Sequence, residues 1–169
     1  MQKLKFKDFI IFLIIGLTLF LFTNCSTTFN YTMELPKSPI FIAFKVMYPS
    51  QVAFNIGTTL PLKIEYQSKS YNIYPLVIDI SLSSSYQYVI DPYISFILSI
   101  DNQIYFPKLP EEIRNLEISN LLFEKQKKNI IVKPEPQTIR LIYFLPNNIE
   151  DKKIKIICNI DGNVYKYDL

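Results

Sequence analysis

Few side chains in this 169-residue sequence are equipped for chemistry, and the missing types decide more than those present. There is no His, which removes Ser-His-Asp and Cys-His relays and the commonest zinc ligand. Three glycines leave no phosphate-cradling loop. Of the two cysteines, Cys25 closes an apolar N-terminal run and Cys158 falls on the apolar face of an alternating segment, opposite Tyr165. A buried structural thiol is the expected role of Cys158, because nothing cationic is placed beside it to lower its pKa. Glu111-Glu112 offers a carboxylate pair, but neighbours point apart on a helix, and acids at a helix start are ordinary. Asp79, Asp91, Asp101 and Asp161 stand at turns or at an outward strand position, without calcium-loop spacing. The expectation is no catalytic residue, no metal site, no cofactor and no evident small-molecule substrate. Aromatics are the one surplus: Tyr71, Tyr74, Tyr86, Tyr88 and Tyr93 lie within 23 residues. Tyr86, Tyr88 and the segment before Pro92 form a candidate binding edge. The competing reading is that they fill the core of a chain with no Trp.

The N-terminus has a three-part layout. Lys3, Lys5 and Lys7 are followed by Phe9 to Phe22, fourteen residues interrupted only by Gly16 and Thr18, and Thr23-Asn24-Cys25 closes the run. A permanent helical span needs about 20 apolar residues, so this length suits the h-region of a secretory signal, expected as a helix. Ending at a cysteine, the segment resembles a bacterial lipoprotein signal. The box that usually holds Leu, a small residue and Gly, Ala or Ser before the cysteine here holds Phe22, Thr23 and Asn24. Such relaxed boxes are similar to those of spirochaete lipoproteins. The resemblance implies cleavage after residue 24, acylation of Cys25, and a bacterial envelope location at the outer membrane, its periplasmic face or the cell surface. The membrane would be contacted through acyl chains, each buried methylene contributing ~0.8 kcal/mol. With Cys25 acylated one thiol remains, which excludes thiolate zinc sites and Cys-x-x-Cys redox chemistry.

Residues 1–24 carry three Lys and one Asp, so the remainder has 15 basic and 14 acidic residues, a net charge of +1 (15 minus 14). That balance gives no electrostatic footprint for nucleic acid. Residues 25–37 read as the lipidated N-terminus and a short tether, and 38–169 as one domain rich in Val, Ile, Phe, Tyr and Thr, which favours strands.

The expected strands are Ile40 to Tyr48, Gln51 to Ile56, Leu60 to Gln67, Ile73 to Leu82, Tyr86 to Ile90, Tyr93 to Ile100, Gln103 to Phe106, Ile130 to Lys133 and Gln137 to Leu145. Gln67 to Asn72 reads as a polar loop and Asp91-Pro92 as a turn. One short helix is expected near Glu111 to Leu116, after Pro110. Leu121, Leu122 and Phe123 are expected to plug the core. The clearest signal is the last: Lys152 to Ile160 and Asn163 to Leu169 joined by Asp161-Gly162, a type I′ pair. A two-residue loop sets Ile160 opposite Asn163, Cys158 opposite Tyr165, Ile156 opposite Tyr167 and Ile154 opposite Leu169.

This many short strands predict an all-β, antiparallel β-sandwich, with a small lipid-holding barrel as the alternative shape. Gly57 before Leu60 to Tyr66, Phe144-Leu145-Pro146 and Asp161-Gly162 loosely resemble bacterial immunoglobulin-like lipoprotein domains. The function expected is a non-enzymatic envelope lipoprotein contacting an envelope or host protein. The alternatives are a carrier for a lipid or other hydrophobic ligand and, behind it, an enzyme built on converging carboxylates.

Overall fold

The computed structural model describes residues 31–34, 40–66, 69–113, 116, 129–149 and 151–169. Cys25, the expected signal helix and Leu121, Leu122 and Phe123 lie outside them. The described residues form eleven strands, all paired antiparallel, and three short helices. The strands are β1 (Tyr31–Glu34), β2 (Ile40–Met47), β3 (Leu62–Tyr66), β4 (Lys69–Ser84), β5 (Tyr88–Ile90), β6 (Phe96–Ile100), β7 (Gln103–Tyr105), β8 (Ile130–Val132), β9 (Gln137–Leu145), β10 (Ile154–Ile160) and β11 (Asn163–Asp168). The helices are α1 (Pro49–Ile56), α2 (Pro92–Ser95) and α3 (Pro110–Ile113). Among the described residues no helix is long and apolar enough to cross a membrane.

Sheet I runs β1-β2-β4, with β9 on β4 as well and β3 on the first part of β4. Sheet II runs β11-β10-β6-β7. Period-two alternation supplies the core from both: Ile42, Phe44, Ile78, Ile80, Leu141 and Tyr143 from sheet I meet Phe96, Leu98, Ile154, Ile156, Cys158 and Tyr167 from sheet II in one buried cluster. Burying one such side chain contributes roughly 1.5–3 kcal/mol, so this shared interior dominates stability. The Tyr143 hydroxyl reaches across it and donates to the Phe96 carbonyl at 3.2 Å. Burial pushes the Tyr143 phenol well above its ordinary range.

The final hairpin adopts the expected register, with Ile160 opposite Asn163, Cys158 opposite Tyr165 and Ile156 opposite Tyr167. The Leu169 amide donates to the Ile154 carbonyl at 2.8 Å, continuing the ladder. Asp161 and Gly162 both take positive φ, as a type I′ turn requires, and so do Asp101 and Asn102 between β6 and β7. β9 has the expected bounds.

Several elements differ from the sequence reading. Gln51 to Ile56 is helical, not a strand. Pro49 occupies the first turn of α1, Gln51 Oε1 accepts the Tyr48 amide at 3.0 Å, and Gly57 at φ 68° ends it in the left-handed region. As a helix the segment lays Val52 on Val77, Ile142 and Ile113, a second cluster on the outer face of sheet I. Val77 points to that outer face of β4 and is fully buried there by the helix. Asp91-Pro92 opens α2 instead of a bare turn: Asp91 Oδ1 accepts the Tyr93 amide at 3.0 Å, and the strand starts only at Phe96. Lys69 to Asn72, expected as loop, pairs with β3. The helix expected near 111–116 is α3, and Leu116 lies beyond its end, packed on the second cluster. Within 38–169 one helix was expected, where three are present among the described residues. Sheet I also takes in Tyr31–Glu34, which the sequence assigns to the tether.

Candidate functional site

Most of the acids singled out from the sequence are committed to structure. Glu112 Oε2 accepts the Leu109 amide at 2.7 Å and Oε1 accepts Lys108 Nζ at 3.0 Å, so this member of the Glu111-Glu112 pair fixes the start of α3. Asp79 lies under a two-pronged grip, Arg140 Nε donating to Oδ1 at 2.5 Å and Nη2 to Oδ2 at 2.7 Å. That hydrogen bond raises the Arg140 pKa above its ordinary value, against the opposing effect of burial. Asp101 pairs with Lys152 at 2.6 Å beside a surface pocket of about 110 Å³ lined by Gln103, Tyr105 and Asn147. Asp161 holds its hairpin turn. No group of three or more metal-ligating side chains gathers among the described residues. Cys158 is buried on β10, and desolvation pushes its thiol far up, opposite to what a nucleophile needs.

The tyrosine cluster divides between the two readings. Tyr93 is buried in α2, where desolvation first, then Glu111 and Asp91, raises its pKa to about 12. Tyr74 and Tyr88 pack against the main core. Tyr71 and Tyr86 face solvent, Tyr86 being 66 % exposed. Tyr86 adjoins the site that stands out. Strands β5 and β8 make a separate two-stranded ribbon, with Tyr88 opposite Val132, Val89 opposite Ile131 and Ile90 opposite Ile130. Its inner side closes one end of the core with Ile90 and Val132. Its outer side presents Val89 at 68 % and Ile131 at 48 % exposure, directly paired, with Ile94 of α2 also exposed nearby in the chain.

The ribbon is anchored at both strands. The Ser84 amide donates to the Lys133 carbonyl at 2.8 Å, tying the end of β4 to the end of β8. The buried Ser84 hydroxyl accepts the Tyr86 amide at 3.1 Å, and Gln137 Nε2 donates to the Ile131 carbonyl at 3.0 Å. Side chains at Val89 and Ile131 are thus held in place without being needed by the core. The two β-branched side chains together form a small exposed apolar surface. From the sequence both segments read as strands, and Tyr86, Tyr88 and the segment before Pro92, which holds Val89, as a binding edge; Ile131 and Ile94 were not singled out. Each strand is apolar on both faces, a signal that two sides are to be covered. The pairing itself joins residues some forty positions apart and leaves no local trace.

No protein-family model and no curated protein matches the chain. Among solved structures it is similar to a conserved hypothetical protein from Bacillus anthracis, with a TM-score of 0.48 and 12% identity, covering 83% of this chain and 93% of that one.

Proposed function

We propose that the chain is a lipid-anchored bacterial envelope protein whose β-domain makes protein contacts rather than catalysing a reaction. The observation that carries the reading is the exposed Val89–Ile131 pair, held rigid on a ribbon whose inner face is already core. A preformed apolar patch needs little ordering on binding, so its burial converts to affinity with little loss of conformational entropy. The anchor rests on the run from Phe9 to Cys25. The partner is an envelope or host protein presenting an apolar surface of its own.

The domain is an immunoglobulin-like β-sandwich in this reading. The order β2-β4-β9 against β7-β6-β10-β11 supports it, since it parallels strands A-B-E against C′-C-F-G. β1 and β3 are then additions to the first sheet, and the β5–β8 ribbon a closure at one end.

Two measurements test the proposal. Intact mass from the native host should begin at Cys25 with added acyl mass, absent in Cys25→Ala; an unprocessed chain unaffected by that substitution refutes the anchor. A photo-crosslinking residue at Val89 in living cells should give a discrete protein adduct that Ile131→Ser abolishes. Adducts equal in yield to those from exposed Val164 would refute the contact.

A further inference from the structure

The second exposed ribbon lies at the other end of β4. Pairing with β9 spans Tyr74 to Leu82 and pairing with β2 spans Val77 to Ser84, so Lys69 to Ile73, carrying β3, overhangs both. The overhang is wet: Lys63, Glu65, Lys69, Ser70, Tyr71 and Asn72 are all exposed. Among the described side chains, Leu62 and Ile73 at its root turn into packed or buried surroundings and Ile64 is half-buried.

Strand β1 shows from which side the chain enters the sheet. Tyr31 pairs with Phe44 and Glu34 with Phe41, so the chain enters β1 from the Met47 side of the sheet, the side of the overhang. Cys25 precedes Tyr31 by six residues, a reach of ~20 Å at full extension. Through Phe44, Tyr31 is level with Ile80, and Lys69 is eleven residues further along β4. At ~3.3 Å per residue that is ~36 Å. The hairpin thus projects toward that side beyond the ~20 Å reach of the tether, so a domain leaning on its anchor brings the hairpin to the same surface.

We infer that the β3–β4 hairpin is a second membrane contact, resting on the headgroup layer of the bilayer into which Cys25 is anchored. Its composition fits that layer. Lys63 and Lys69 supply cations for lipid phosphates, and Tyr71, paired with the half-buried Ile64, supplies the amphipathic ring that settles at an apolar–water boundary. The opposite end, with Val89 and Ile131, then faces away from the membrane. This inference rests on the anchored reading above, and its test separates the two.

The chain has no Trp, so a single introduced indole reports its own surroundings. Full-length protein carrying Tyr71→Trp or Val164→Trp is produced in a lipoprotein-processing bacterium and weighed intact. Each is then reconstituted into phosphatidylcholine–phosphatidylglycerol vesicles with or without brominated acyl chains. Expected is at least twofold bromine quenching at position 71 and none at 164, with the quenching at 71 reduced by Lys63→Gln/Lys69→Gln. Acylated protein unquenched at 71, or quenched equally at both positions, overturns the hairpin contact while the anchor stands. Unacylated protein still quenched at 71 overturns the lipid anchor and leaves the contact. Unacylated protein quenched at neither position overturns both.

Discussion

The two ends of β4 carry two ribbons of opposite construction. At one end β3–β4 is a local hairpin with five residue pairs and almost no burial beyond its root. At the other end β5–β8 joins distant segments through only three pairs, yet seats Ile90 and Val132 in the main core. Ladder hydrogen bonds replace bonds to water and contribute little net, whereas each buried aliphatic side chain contributes kilocalories. The longer ladder is therefore the weaker structure. Pairing determines where a strand runs; burial determines how firmly it stays.

The same substitution in each ribbon is the most direct way to break that contrast. Ile90→Ala is expected to cost about 2–4 kcal/mol through lost transfer and a residual cavity. Ile64→Ala, half-buried in the overhang, is expected to cost under ~1 kcal/mol. Urea unfolding of the two variants measures both, and equal losses would show that the overhang is anchored by more than its root. Native-state hydrogen exchange sharpens the comparison, with amides of Lys69 to Asn72 expected to open at far lower free energy than those of Val89 and Ile131.

Between the ribbons, β4 is tied to β9 by the largely buried Asp79–Arg140 pair. Asp79→Ala leaves a guanidinium without its two-pronged acceptor and is expected to cost about 1–3 kcal/mol, read from the same urea midpoints. The cost should fall on the sheet as a whole, since the pair lies inside the β4–β9 ladder and in neither ribbon.

Alkaline pH probes the core that only one ribbon covers. Cys158, ordinarily ionising near 9.0, is pushed far up by burial, while Tyr93 and Tyr167, ordinarily near 10.0, are raised to about 12, chiefly by desolvation. The unfolded chain therefore releases these protons first. Stability is full below about pH 9, falls as pH rises through 9 with the thiol, and falls more steeply between 10 and 12 with the phenols. Unfolding midpoints measured from pH 7 to 11 should trace this fall, and Cys158→Ala should remove its earlier part. Gly57→Ala, at φ 68° in open space, has only a backbone cost of about 1 kcal/mol and should loosen α1 alone. Smallest of all, Val89→Ser with Ile131→Ser should change stability by no more than ~0.5 kcal/mol while abolishing partner capture.

Much of the fold is legible one residue at a time. The Asp161-Gly162 turn and the alternation on either side of it dictate the β10–β11 register, because a two-residue loop leaves one pairing that keeps Ile156 and Cys158 on the apolar face. Gln137 to Leu145 is an apolar, β-branched and aromatic run between Pro136 and Pro146, so the bounds of β9 follow directly. The core role of Cys158 follows in the same way. The candidate site was half legible: Tyr86 and both ribbon strands were visible as segments, and their meeting was not.

What remained hidden depended on neighbours distant in the chain. Val52, Phe54 and Ile56 alternate as a strand would, yet Pro49 and Gly57 delimit a helix of eight residues. The helix prevails because it presents Val52 and Ala53 together, and Val77 and Ile142 supply an apolar floor to cover. Tyr31–Glu34 becomes a strand because the edge of β2 is there to pair with, and Lys69 to Asn72 because β3 lies alongside. Local sequence determines alternation, turn chemistry and helix ends, all of which act over a few residues. Which surfaces lie against which is decided by burial across the whole chain, and that decision exists only once the two sheets have closed on their shared core.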